Sequence, residues 1–269
     1  MTNMKQTQDD RTIQPFNCST IQHIKAYAFT LAETLIVIGI IGVVAALTLP
    51  NLNHATGDKE KVTKVKKIYA SLADAYGRAE AIYGPIDEWF KDINYDENRR
   101  DGSERFAKRM MEFLKVSKDC GFNTGCFSEK PLLAAWADIN DPYFDNLEEM
   151  LTDEHYMVTL SDGISLGFRY KNKNSGGLGD SCVIFVDIDG PNKGKNFYYD
   201  DIHVFTIGLS QESSEYFPYK QLVPDQGFLV DFPEYATDYG TWWIVNYDNM
   251  DYLKCPDDLD WQAGITSCQ

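Results

Sequence analysis

The oxygen-rich stretch Asp187-Ile188-Asp189-Gly190-Pro191-Asn192-Lys193-Gly194, with Asp200 and Asp201 soon after it, gathers the residues best suited to chemistry in this 269-residue chain. Carboxylates and a side-chain amide around a tight turn suit a hard cation such as calcium, which takes roughly six to eight oxygen ligands. The candidate ligands are Asp187, Asp189, Asn192, Asp200 and Asp201. The pattern is not an EF-hand: Gly190 follows Asp189 directly, and Asn196 stands where that loop needs a glutamate. The same residues also suit a plain strand connection, because Asp-Gly and Pro-Asn are turn formers. Both readings are open at this level. Calcium is the one cofactor the sequence suggests, and none is required.

Catalysis finds little footing. His23, His54, His155 and His203 lie far apart, and none belongs to a nucleophile elbow or a zincin helix. Ser175-Gly176-Gly177-Leu178-Gly179 lacks the lysine of a phosphate loop. Adjacent acids such as Asp257 and Asp258 read as solvated loop residues. The chain is therefore not expected to be an enzyme.

The elements that must position these residues change character along the chain. From Lys59 to Tyr83, Val62, Val65, Ile68, Tyr69, Leu72, Tyr76, Ala79 and Ile82 recur at helical spacing with lysines between them, and Gly84-Pro85 ends the pattern. This predicts an amphipathic helix that packs on a sheet. Phe106, Met110, Met111, Phe113, Leu114 and Val116 predict a second helix over 103–117. Residues 121–154 read as loop, with a short helix near 145–151. Tyr156–Leu160, the turn Ser161-Asp162-Gly163 and Ile164–Tyr170 predict a hairpin, because Asp-Gly supplies positive-φ geometry. Further strands are predicted over Cys182–Ile188 and Asp201–Ile207. Helices followed by a meander of strands imply an α+β fold with an antiparallel sheet. Twelve aromatics lie between 216 and 261, among them Tyr216, Phe217, Tyr239, Trp242, Trp243, Tyr247 and Trp261. Core and sheet packing is their expected role, with Trp242–Val245 as a continuous apolar run.

The N-terminal region is the most specific. Leu35 to Leu49 carries no charge, and Phe29 to Leu49 as a helix would span about 32 Å, close to the hydrocarbon thickness of a bilayer. One acid, Glu33, sits at the leading end, where an unpaired charge costs on the order of 3 kcal/mol even on lenient insertion scales. A partner for it is expected. A secretory signal peptide or a simple anchor needs no such acid, and a signal peptide has a shorter apolar core.

The series Ala28-Phe29-Thr30-Leu31-Ala32-Glu33 followed by the apolar run resembles the processing signal of type IV pilins and type II secretion pseudopilins. The resemblance covers about residues 25 to 52. It implies that a prepilin peptidase cuts between Ala28 and Phe29 and methylates the new amine. The family favours glycine before the cut, so Ala28 is a departure. It further implies that Glu33 meets the N-terminal amine of a neighbouring subunit, that Gly42 and Pro50 mark places where the helix loosens or bends, and that the helix is interrupted or loosened between Pro50 and Gly57. The organisation it implies is a leader over 1–28, a transmembrane and assembly helix over 29–50, and a pilin-like head over 51–269 that includes the amphipathic second half of the helix. The implied location is the inner membrane, single-pass, with the head in the periplasm. From there an assembly platform would polymerise the subunit with other pilins or pseudopilins into a pilus or pseudopilus that can reach the cell surface. The competing class is a membrane-anchored minor pilin or adhesin acting mainly as a ligand- or calcium-binding module. More weakly, Asp187–Gly194 and Asn249-Met250-Asp251-Tyr252-Leu253-Lys254-Cys255 resemble two segments found together in a subgroup of prepilin-type proteins, with no role attached to either.

Loss of the leader removes Cys18 and a net charge of +1, taking the chain from −16 to −17. So acidic a chain is not expected to bind nucleic acid, which needs a basic surface to displace phosphate counterions. Short spacing suggests that Cys120 pairs with Cys126 and Cys255 with Cys268, leaving Cys182 as a buried thiol in a strand-like run. Zinc is disfavoured, since no Cys-x-x-Cys pair or nearby histidine is present. The cysteines and the processing motif point outward, to an oxidising compartment. Lys59, Lys61, Lys64, Lys66 and Lys67 give the opposite signal by the positive-inside rule. A neighbouring subunit's acidic surface is the partner expected for them.

Overall fold

Helix α1 spans Leu31–Tyr83. The computed structural model describes residues 31–93, 99–127, 154–171, 181–194, 197, 199–209, 220–224 and 240–269, without the side chains of 45–56 and 99. The chain divides into two compact units, Met1–Pro50 and Asn51–Gln269. The expected short helix near 145–151, and Tyr216, Phe217 and Tyr239, lie outside the described residues.

In the first unit, the backbone from Leu31 onward is helical and every described side chain, 31 to 44, is exposed. Among the described residues no helix is long and apolar enough to cross a membrane. Fourteen residues rise only about 21 Å, short of the roughly 30 Å of hydrocarbon. The expected interruption between Pro50 and Gly57 is absent: α1 is helical through both. A proline inside a helix costs about 3 kcal/mol through its missing N–H and ring clash, a penalty that flanking helical turns can carry.

In the second unit, the predicted stripe of α1 is the buried one. Val62, Val65, Ile68, Leu72, Ala75, Tyr76 and Ala79 all enter the main core, while Ile82 lies beyond it, 64% exposed. The helix stops where Gly84 takes φ +77°, the left-handed region that glycine enters without strain, and Pro85 follows. A 3₁₀ turn, Ile86–Phe90, then tucks Trp89 under the helix end, its indole N–H donating to Gly84 O at 2.8 Å.

Helix α2 spans Arg99–Met111, and the chain from Val116 to Gly121 is strand β1. The expected helix over 103–117 is thus too long at its C-terminal end. Phe113, Leu114 and Val116 fit a helical period, but two tight turns, from Phe113 N to Met110 O and from Leu114 N to Met111 O, redirect the chain. Backbone pairing with β2 then claims the next residues. Strands β2 (Tyr156–Leu160), β3 (Ser165–Lys171), β4 (Ser181–Asp187), β5 (Ile202–Gly208) and β6 (Leu222–Pro224) complete a six-stranded antiparallel meander in the order β1 to β6. The hairpin at Gly163, φ +90°, is the one Asp162-Gly163 predicts.

Every residue of β4 and β5 is buried, so the sheet has two dry faces. Alternation assigns them: Cys182, Ile184 and Val186 face the main core with α1, whereas Val183 and Phe185 join Cys120, Cys126, Phe127 and Met157 in a smaller core behind. The outer edge is guarded. Strand β1 carries two register irregularities, and the Cys120–Cys126 loop folds back so that Lys118 Nζ donates to Gly125 O at 2.7 Å.

Helix α3, Gly240–Tyr247, replaces the sheet packing expected for Trp242–Val245. A four-residue apolar run carries no period, and here Trp243 and Ile244 are buried from a helix that packs on β5 and β6. The C-terminal region continues through 3₁₀ turns at Asp251–Leu253 and Pro256–Asp258 and is closed by Cys255–Cys268. The fold is α+β, with a six-stranded antiparallel sheet and two disulfides.

Gly102 is where α2 comes nearest to the sheet. A Cβ there would lie 2.9 Å from Tyr170 Cγ and closer still to the ring edge. Replacing Gly102 with Ala should therefore destabilise by about 1–3 kcal/mol, even though alanine is the better helix former by about 1 kcal/mol. A urea midpoint unchanged or raised in G102A would contradict this packing.

Candidate functional site

The strand ends β4 and β5 bring the acidic stretch to one side of α1. Asp187 closes β4, and its Oδ1 accepts from the backbone N–H of Asp189 at 3.2 Å and of Gly190 at 2.8 Å. That Asx-type closure turns the chain at Gly190, φ +83°, which packs directly on Gly163 O of the hairpin turn. Asp187 Oδ2 and Asp189 Oδ1 are buried, and among the described residues no N–H or hydroxyl donates to either. Two ionised carboxylates offer only acceptors to one another, so a proton on Asp187 supplies the bond that joins it to Asp189. Burial, followed by that contact, pushes Asp187 up to about 8. Burial also raises Asp189, although the bond from Asp187 opposes the shift.

Asp200 and Asp201 turn toward α1 instead. Lys61 Nζ donates to Asp200 Oδ1 at 2.5 Å and to Asp201 Oδ1 at 2.9 Å, with Asp201 almost fully buried. Burial works against the ammonium charge, but the two carboxylates outweigh it and hold Lys61 above the ordinary lysine range. Beneath them His203 is wholly buried beside Thr241 Oγ1, 3.3 Å away, and burial lowers it to about 3, so it is neutral.

Lys61, a residue of the helix, thus holds the place in this arrangement that a cation would take. Asn192 is exposed, and among the described residues no group of three or more His, Cys, Asp or Glu side chains is placed to hold a metal. Of the five residues read as calcium ligands, Asp187 faces Asp189, Asp200 and Asp201 hold Lys61, and Asn192 faces solvent. Sequence alone missed Lys61 as the counter-ion, since it lies 140 positions away from Asp201.

Three further lysines of the cluster find partners within the chain: Lys64 pairs with Glu60 one turn back on α1, Lys66 with Asp248 and Lys67 with Asp162.

The segment Asn249–Cys255 gains a structural role. Asn249 Oδ1 accepts from Trp243 Nε1 at 2.9 Å and Asp251 N at 3.0 Å, and its amide donates to Tyr247 O and Thr266 O. Met250 and Tyr252 are buried, and Tyr252 Oη donates to the carbonyl of Tyr199, a residue held at φ +62°. Lys254 reaches Asp58 of α1 at 2.6 Å. Both short-spaced disulfides form, and Cys182 is buried and outside any disulfide.

Of the processing and assembly residues, Ala28 and Phe29 lie outside the described residues. Glu33 stands exposed in the first turn of α1, where helix dipoles favour an acid. A Cβ on Gly42 would meet nothing within 4 Å, and Pro50 lies within the helix. The exposed large apolar side chains of this stretch are Leu31, Leu35, Ile36, Val37, Ile38, Ile40, Ile41, Val43 and Val44. No family model, curated protein or solved structure matches the chain.

The Asp187 carboxyl carries a pH signature. Its folded-state value, about 8, lies above the ordinary 3.8, so between them the folded protein binds a proton that the unfolded chain has lost. This group's share of stability therefore falls as pH rises from about 4 to about 8, and is level above. Asp187→Asn keeps the acceptor to the turn and gives Asp189 a permanent donor. We expect it to remove that share of the slope and to raise stability at pH 8 by about 1–3 kcal/mol. Urea midpoints across the pH range would show it, and an unchanged slope would contradict the shared proton.

Proposed function

We propose that this chain is a structural subunit of a type IV pilus or type II secretion pseudopilus. In this reading, a prepilin peptidase cuts between Ala28 and Phe29 and methylates the new amine. The helix from Phe29 to Leu49 holds the subunit in the inner membrane with its head in the periplasm. An assembly platform then polymerises it with other subunits through that helix. The observation that carries the reading is a single one. A helix begins with one acid, Glu33, and presents nine large apolar side chains between Leu31 and Val44, all at least half exposed. Soluble monomers rarely show contiguous apolar surface on this scale, and such a surface asks for lipid or another helix.

A lone acid at the head of an apolar helix suits a filament better than an anchor. In lipid the carboxylate is a burden of about 3 kcal/mol. Beside the methylated amine of another subunit it becomes half of an ion pair in a dry surrounding, where truncating one partner is costly. The same helix then serves two environments, bilayer before assembly and neighbouring helices after it. The head supports this reading through its two bridges, which suit an oxidising compartment.

Expressed with a prepilin peptidase, the protein should lose residues 1–28 and begin at a methylated Phe29, as read by intact mass. Glu33→Ala should still be cut and inserted but should fall at least tenfold in recovered filaments. A native chain that keeps its first 28 residues, or E33A filaments in wild-type yield, would sink the reading.

A further inference from the structure

We propose that the Cys255–Cys268 bridge is a thiol-sensitive clasp that fixes the Asp58–Lys66 stretch of α1 to the head. This inference does not rest on the filament reading. The last residues of the chain bury little: 262 to 265, 267 and 269 are exposed, and their backbone pairs locally, through the isolated bridge Asp260–Ile265 and the turn from Gly264 N to Trp261 O. What holds them is the disulfide, together with two side chains it brings into reach. Cys268 N donates to Asp251 Oδ2 at 3.0 Å, and Thr266 O accepts from Asn249 Nδ2 at 2.9 Å. The same Asp251 carboxylate, through Oδ1, lies 3.5 Å from Lys254 Nζ, which bonds Asp58 of α1 at 2.6 Å. Asp248, next to Asn249, pairs with Lys66 one further stretch along the helix. The disulfide is thus linked to α1 through three contacts, Cys268 to Asp251, Asp251 to Lys254 and Lys254 to Asp58.

The two bridges differ in access. Cys120 and Cys126 are 9% and 0% exposed, in the core behind the sheet, whereas Cys255 and Cys268 are both partly exposed. A dithiol reductant therefore reaches the C-terminal bridge first. Its thiolate attacks one sulfur, the Cys255–Cys268 bond breaks, and a mixed disulfide forms with release of the other cysteine as thiolate. The reductant's second thiol resolves that intermediate. Two electrons pass to the protein, which holds two thiols, and the reductant leaves as its cyclic disulfide. Asp251 Oδ2 and Asn249 Nδ2 then lose the partners the tail presents, and Lys254 is no longer braced against Asp58.

Alkylation followed by mass spectrometry on the full chain, titrated with dithiothreitol, should label Cys255 and Cys268 before Cys120 and Cys126. Over the same range, hydrogen exchange at the amides of 57–67 should quicken at least tenfold, while β3 to β5 stay protected. The double variant C255S/C268S should reproduce that pattern without reductant. Lys254→Ala should quicken the same α1 amides with the bridge intact. The proposal is overturned if Cys120 and Cys126 are labelled first or together with the other pair. Unchanged α1 exchange on reduction or in K254A overturns it too, as does loss of protection across β3 to β5 along with α1, which would mark a global staple.

Discussion

Burial of one stripe of α1 against the sheet is the constraint on which the head depends. Val62, Val65, Ile68, Leu72, Ala75, Tyr76 and Ala79 face the strands, and Tyr69 stacks flat on Phe205 with ring centroids 5.4 Å apart. Each large side chain so buried contributes about 1.5–3 kcal/mol relative to exposure. The tyrosines add direction, since the hydroxyl of Tyr69 donates to Leu222 O and that of Tyr76 to Lys220 O, tying the last strand and its approach to the helix. With that face committed, the helix leaves its lysines on the flanks, which is where the acidic loops reach them.

The acidic junction follows from this geometry. A meander delivers the end of β4 beside the start of β5, so Asp187 and Asp189 arrive next to Asp200 and Asp201. Water cannot screen them there, and three different remedies appear within a few residues. Asp201 takes a lysine, Asp187 keeps a proton shared toward Asp189, and His203 stays neutral. The C-terminal segment then leans on the same region through Tyr252 and Lys254. Gly240 is needed for that approach, because a Cβ there would run into Tyr252 and the backbone-strained Tyr199.

Much of the fold could be read from residue order. The 3.6-residue stripe of α1, the Gly84-Pro85 stop, the Asp162-Gly163 hairpin and the strands ending in Asp187 and Gly208 are local signals, and each appears within a residue or two of where it was expected. Failures occur where local preference is weak and a distant partner decides. Val116–Gly121 suits either helix or strand, and pairing with β2 selects strand. Trp242–Val245 suits a strand by composition, yet a helix buries Trp243 and lets Thr241 cap Val204 N at 3.1 Å. At Pro50 the intrinsic helix breaker is overruled by the turns on either side.

The candidate site divides along the same line. Sequence by itself determined which residues carry charge and where the chain must turn, and it set the apolar run headed by Glu33, because types, spacing and turn chemistry are properties of neighbours along the chain. Short spacing suggested the two disulfides, and the structure selects those pairings among the fifteen that five cysteines with one left over allow. Only the tertiary structure decided what the acids do. Five oxygen-bearing residues in one stretch look like ligands for a cation, and the charge that the fold sets against two of them, Lys61, comes from a helix some 140 residues earlier. Charge compensation acts through space over a few ångströms and carries no imprint in residue order, so it becomes visible only when the sheet has brought its strand ends to the helix.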